Sequence, residues 1–80
     1  MVNQKLIAEA VEAVVIEVEN KNNDMIARSL VGLVHTADGE GLNAEQTHQI
    51  LLDRGIEGGD FLKQFINEQF ENLNSPPKNT

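Results

Sequence analysis

The stretch QKLIAEAVEAVVIEVE, Gln4–Glu19, decides what kind of fold this chain can have. It carries two patterns at once. Leu6, Ile7, Ala10, Val11, Val14, Val15 and Val18 recur at spacings of three and four, the period of a helix with one apolar face. Glu9, Glu12, Glu17 and Glu19 fall mainly off that face. The second half, however, is rich in β-branched residues. Val14, Ile16 and Val18 alternate with Val15, Glu17 and Glu19, as they would along a strand. A strand must pair its backbone with a neighbour, and no other segment of the chain offers a second strand. The stretch is therefore read as a helix, with Asn3 as its N-cap and its last turn the place where the two patterns compete.

Outward from it, Lys21 to Asp24 forms a break, and Asn22 or Asn23 caps a second helix running from about Asp24 to His35. Met25, Ile26, Leu30, Leu33 and Val34 make its inner face. Ala37-Asp38-Gly39-Glu40-Gly41 reads as a loop with two glycines. Asn43-Ala44-Glu45-Gln46 has the form of a capping box and starts a third helix that reaches about Arg54 and ends at Gly55. Ile50 and Leu51 point inward, with Leu52 beside them. After Gly58-Gly59, a fourth helix runs from Asp60 to about Leu73, with Phe61, Leu62, Phe65, Ile66, Phe70 and Leu73 as a strong apolar stripe. The expected architecture is all-α: a compact bundle of four short helices forming one domain over residues 1–73, with a disordered C-terminal tail over 74–80.

Eighty residues allow a single domain. A core of this size rarely supplies more than about 3–5 kcal/mol of net stability. With no cysteine, neither disulfides nor thiolate metal sites can supplement it, which leaves burial against a partner. Thirteen acidic residues against six basic ones give a formal charge of −7. The cations Lys5, Lys21, Arg28, Arg54, Lys63 and Lys78 form no stripe. Direct nucleic-acid binding is not expected, because that affinity rests on clustered cations displacing counterions. Membrane association is not expected either, since Leu6 to Val18 is too short and too charged to span a bilayer, and the start of the chain does not read as a signal peptide. The expected location is the cytoplasm.

The residues of an active site are missing from the sequence. There is no cysteine or tyrosine, and Ser29 and Ser75 have no histidine near them in the chain. Gly39-Glu40-Gly41 lacks the lysine and hydroxyl residue of a phosphate-binding loop. The expectation is no enzyme and no cofactor. The most site-like cluster is His35, Asp38, Glu40, Glu45 and His48, whose imidazoles and carboxylates are ordinary donors to divalent metals. Of these, His35, Asp38, Glu45 and His48 are the candidate ligands. The plainer reading is a loop of solvated acids between helix-end histidines.

Two loose resemblances attach to this region. Leu33 to Gly55 resembles an EF-hand when Gly41 is set as the turn glycine. That places Thr36, Asp38, Glu40 and Thr47 at the first, third, fifth and last loop positions. The family's first aspartate and final bidentate glutamate are both replaced by threonine, and Asn43 stands where an apolar residue is usual, which removes most of a calcium site's affinity. Ile50, Gly55, Ile56 and Phe61 fall near the spacing of a helix-turn-helix. Arg54 takes an apolar position of that motif, and the would-be recognition helix offers only Lys63 as a cation.

The sequence thus points to a small acidic protein-interaction module that self-associates, as a dimer, and binds and modulates another protein. Ile7, Val11, Val14 and Val18 follow a four-three-four spacing suited to a helix–helix seam. With Phe70 and Leu73 they are the apolar residues that look surplus to one small core. The alternatives are a metal-binding helix–loop–helix protein or a helix-turn-helix regulator.

Overall fold

The computed structural model describes residues 3–74. Four helices follow one another: α1 (Gln4–Glu19), α2 (Asn23–Gly39), α3 (Ala44–Asp53) and α4 (Gly59–Asn74). Among the described residues there is no strand. Helix α4 carries the domain through Asn74, and the rest of the tail expected over 74–80 lies outside the described residues.

The conflict inside α1 is resolved in favour of the helical period. Strand alternation would have put Val14, Ile16 and Val18 on one face. Instead Val14 is fully buried while Ile16 and Val18 are exposed. Asn3 caps the helix, its side-chain oxygen accepting from the Lys5 and Leu6 amides at 3.2 Å. Asn43 and Gln46 form the reciprocal capping box expected at α3, with bonds of 2.8 and 2.9 Å.

The main departure from expectation is at the end of α2. The helix does not stop near His35 but continues through Thr36, Ala37, Asp38 and Gly39. The stop signal is Gly41, not Gly39. Gly41 adopts φ +83°, and the amides of Gly41 and Leu42 bond back to the carbonyls of Asp38 and Ala37 at 3.1 and 2.8 Å. Gly55 and Ile56 repeat this closure at the end of α3, with bonds to Leu52 and Leu51. This is the Schellman arrangement, in which an apolar residue follows the left-handed one and packs back on the helix. Leu42 and Ile56 both lie against the core. The end of α1 closes the same way, but with Lys21 at φ 57° in the left-handed position.

Helix α2 packs against all three others, while α1 lies on α2 and α3 lies on α4. The core joins Ile7, Val11 and Val14 of α1 to Leu30, Leu33, Val34 and Ala37 of α2, Leu51 of α3, and Leu62, Ile66 and Phe70 of α4. Ala37, expected in a loop, is a fully buried part of this seam. Thr47 is also fully buried, its hydroxyl satisfied by the Asn43 carbonyl at 2.9 Å. Met25 and Leu52, expected to face inward, are exposed instead. Arg54 reaches Glu12 of α1 at 2.8 Å, but both side chains are about half exposed, at 45% and 51%. Such a pair adds little, typically below about 1 kcal/mol.

Two glycines give a paired test of this packing. A Cβ on Gly58 would sit 2.6 Å from the Leu62 Cβ, so Gly58→Ala must push apart the start of α4. A Cβ on Gly32, inside α2, would meet nothing within 4 Å. Urea denaturation should show Gly58→Ala destabilised by about 1–3 kcal/mol and Gly32→Ala stabilised by up to about 1 kcal/mol.

Candidate functional site

Four of the six apolar residues that look surplus in the sequence are consumed within a single chain. Ile7, Val11, Val14 and Phe70 are buried in the core, and of the six only Val18 and Leu73 keep substantial contact with solvent. The physical reason is size. Each helix of so short a chain must give its whole inner stripe to one shared core, so a regular stripe does not mark spare surface. A charge at Val11 or Val14 would be buried and would break the fold, not merely a seam.

The candidate metal ligands are likewise separated. His35 lines a cleft of about 500 Å³ between α1 and the end of α2, beside Glu9 and Glu40. Glu45 and His48 line another, of about 420 Å³, between α3 and α4, where Lys63 and Asn67 form the opposite wall. A lysine there opposes any cation. Asp38 is exposed and belongs to neither cleft. Among the described residues no group of three or more His, Asp or Glu side chains is placed to hold a metal ion.

The twelve-residue loop needed for an EF-hand does not form either. Thr36 lies in α2 and donates to the Gly32 carbonyl at 3.0 Å, while Thr47 lies in α3 and donates to Asn43. Glu40 accepts from the Asn3 backbone amide and so ties the start of α1 to the end of α2. His48 keeps one unusual feature: its Nε2 is shielded from solvent and has no hydrogen-bond partner among the described residues.

The surface that does call for an explanation lies at the opposite edge of the bundle, where the first turns of α2 and α4 run side by side. Leu30 and Leu62 floor a groove of about 440 Å³. Ile26 and Phe65 wall it, and Asn23, Ala27 and Phe61 stand at its rim. Phe61 is 80% exposed. Its ring forms one side of this groove and, with Gln64, Phe65 and Glu68, one side of a smaller hollow of about 170 Å³ across the helix.

Helix geometry accounts for this position. Successive residues point about 100° apart, so Phe61 and Leu62 cannot both face inward. Leu62 is the one buried, at 6% exposure. The apolar stripe of α4 predicts an inward Phe61, and the structure corrects this, leaving the ring 80% exposed. The distinguishing signal is present in the register. From Leu62 the inward line continues to Ile66, Phe70 and Leu73, whereas from Phe61 it runs through Phe65 to Glu68 and Asn72.

No helix among the described residues is long and apolar enough to cross a membrane. No protein-family model matches the chain, and comparisons with curated proteins and with solved structures returned no match.

The two aromatic positions of α4 should separate cleanly in urea denaturation. Phe61→Ser should change stability by less than about 0.5 kcal/mol, whereas Phe70→Ala, removing a ring that is only 7% exposed, should cost about 3–5 kcal/mol. Excess zinc or calcium should leave the melting temperature unchanged. A rise with either ion would show that the ligands of the two clefts are brought together in solution.

Proposed function

We propose that the protein is a small helical interaction module that docks another protein through the groove between α2 and α4 and so modulates it. The observation that carries this reading is Phe61, a phenylalanine 80% exposed at the edge of an apolar groove. A lone exposed apolar side chain needs no explanation, but an aromatic ring joined to an apolar depression is the form of a binding surface. Buried aromatic anchors also carry a disproportionate share of interface energy. An accessory role in the cytoplasm belongs to the same reading.

Self-association belongs to the same proposal in altered form. The residues available to it are the exposed ones: Leu6, Ile16 and Val18 on α1, Met25 on α2, Leu52 on α3, and Phe61 on α4. A second copy occupying the groove would make the dimer the functional state.

A photo-crosslinking phenylalanine analogue at position 61 tests the reading in the native host. The expected result is a discrete adduct that is absent when the analogue is placed at Glu71, an exposed position farther along α4. An adduct of twice the chain mass would identify the occupant as a second copy. Equal, diffuse labelling from both positions would show that the groove is not where the protein docks.

A further inference from the structure

The connection between α1 and α2 is built differently from the other two. The turns after α2 and α3 close on a left-handed glycine, Gly41 or Gly55, and an apolar residue that follows it lies against the core. The turn after α1 puts Lys21 in that place, at φ 57°, the one positive φ at a non-glycine residue among the described residues. A side chain there crowds its own backbone, a strain that glycine avoids. The residue that follows is Asn22, polar and exposed, so no apolar contact locks this turn as Leu42 and Ile56 lock theirs.

Nothing in the residues forbids a continuous helix across this point. The sequence holds no glycine or proline before Gly32. Lys21 is a good helix former, and only Asn20, Lys21 and Asn22 separate the two helices. The helices are also in phase across the bend. Val18 and Thr36 stand eighteen residues apart, five full turns. Val18 ends the apolar stripe of α1, and Thr36 shares with Leu6 and Ala10 the cleft where α2 meets α1. Straightened, that stripe and the line of α2 that meets α1 would run along one side of a single helix of about 54 Å.

We infer that two copies of this chain exchange α1: residues 20–22 become helical, and the α1 of each copy lies on the α2 of the other. The exchange loses no core contact, because Ile7, Val11 and Val14 meet the same side chains in the second copy. The pair of Glu12 with Arg54 and the bond from Asn3 to Glu40 re-form between copies. What changes is the turn. Lys21 leaves its strained conformation, and the cap from Asn22 to the Met25 amide gives way to ordinary helical bonds. A short hinge under strain favours this exchange. The inference goes beyond the docking reading and does not depend on it, since α1 contributes nothing to the lining of the α2–α4 groove. An exchanged dimer carries two such grooves on one assembly.

The test refolds the full chain at high concentration, where exchange between copies competes with closure within one, and separates dimer from monomer by size-exclusion chromatography. A copy carrying Lys5→Cys and Asp38→Cys, both exposed positions, is spin-labelled and diluted with unlabelled chain. In the closed hairpin the two labels sit at the end where Asn3 is bonded to Glu40. In an exchanged copy they lie about 50 Å apart along one helix. The dimer should show the long distance and the monomer the short one. Lys21→Gly relieves the turn and weakens the long helix, so it should raise the dimer's dissociation constant at least about tenfold. Asn20→Ala with Asn22→Ala removes the cap of α2 and favours helix through the bend, so it should lower that constant about tenfold. Phe61→Asp should leave it unchanged.

A chain that stays monomeric in both the parent and the double-alanine variant would overturn the exchange. So would a dimer whose labels keep the short distance. If Phe61→Asp dissolves that dimer, the copies meet through the groove, and the docking reading stands while the exchange falls.

Discussion

Helix α2 has to be buried along its length from Leu30 to Ala37, and the other three helices are arranged to meet that demand. Leu33, Val34 and Ala37 are all fully buried, and each neighbouring helix contributes side chains to cover them. The smallness of Ala37 matters as much as the bulk of Leu33, since it lies in the same close-packed seam. In a chain without cysteines this seam is the main source of cohesion. The surface ion pair between Arg54 and Glu12 and the tie from Glu40 to Asn3 position the ends of helices but do not substitute for it.

That demand also explains which apolar surface is left outside the core. Once α1 has given Ile7, Val11 and Val14 to the seam, and α4 has given Leu62, Ile66 and Phe70, the apolar residues left outside are those at the edges of each stripe. The edges of α2 and α4 coincide at their first turns, and this coincidence makes the groove. Phe61 is the residue by which α4 exceeds what the core can absorb.

The number and type of the helices are legible in the residues, because an apolar helical period recurs in all four and a capping side chain starts three of them. Asn3, Asn22 and Asn43 all cap as their side chains suggest. The end of α2 is less legible because two glycines stand close together. The informative unit is a glycine followed by an apolar residue, as in Gly41-Leu42 and Gly55-Ile56, and Gly39 is followed by Glu40. The groove is less legible. Periodicity reports that a face is apolar but not how much of it neighbouring helices will cover, and the register that separates Phe70, in the core, from Phe61, outside it, is a finer signal than the period itself. The histidine–carboxylate cluster failed for a related reason. Nearness in sequence placed His35 and His48 together, but they lie on α2 and α3 and line different clefts.

The order of pairing along the chain carries a kinetic consequence. α1 folds back on α2, and α3 on α4, each across a connection of only a few residues. Both are local encounters with little loop entropy to overcome. Joining the two hairpins along α2 is the one step that needs distant parts of the chain to meet. A topology dominated by such near-neighbour contacts places the protein among the rapid folders, on the microsecond-to-millisecond scale, with few opportunities for long-lived exposed intermediates. The groove is formed in that joining step, because it takes its two walls from different hairpins. An unjoined chain therefore lacks the groove, and an intact groove becomes a report on completed folding.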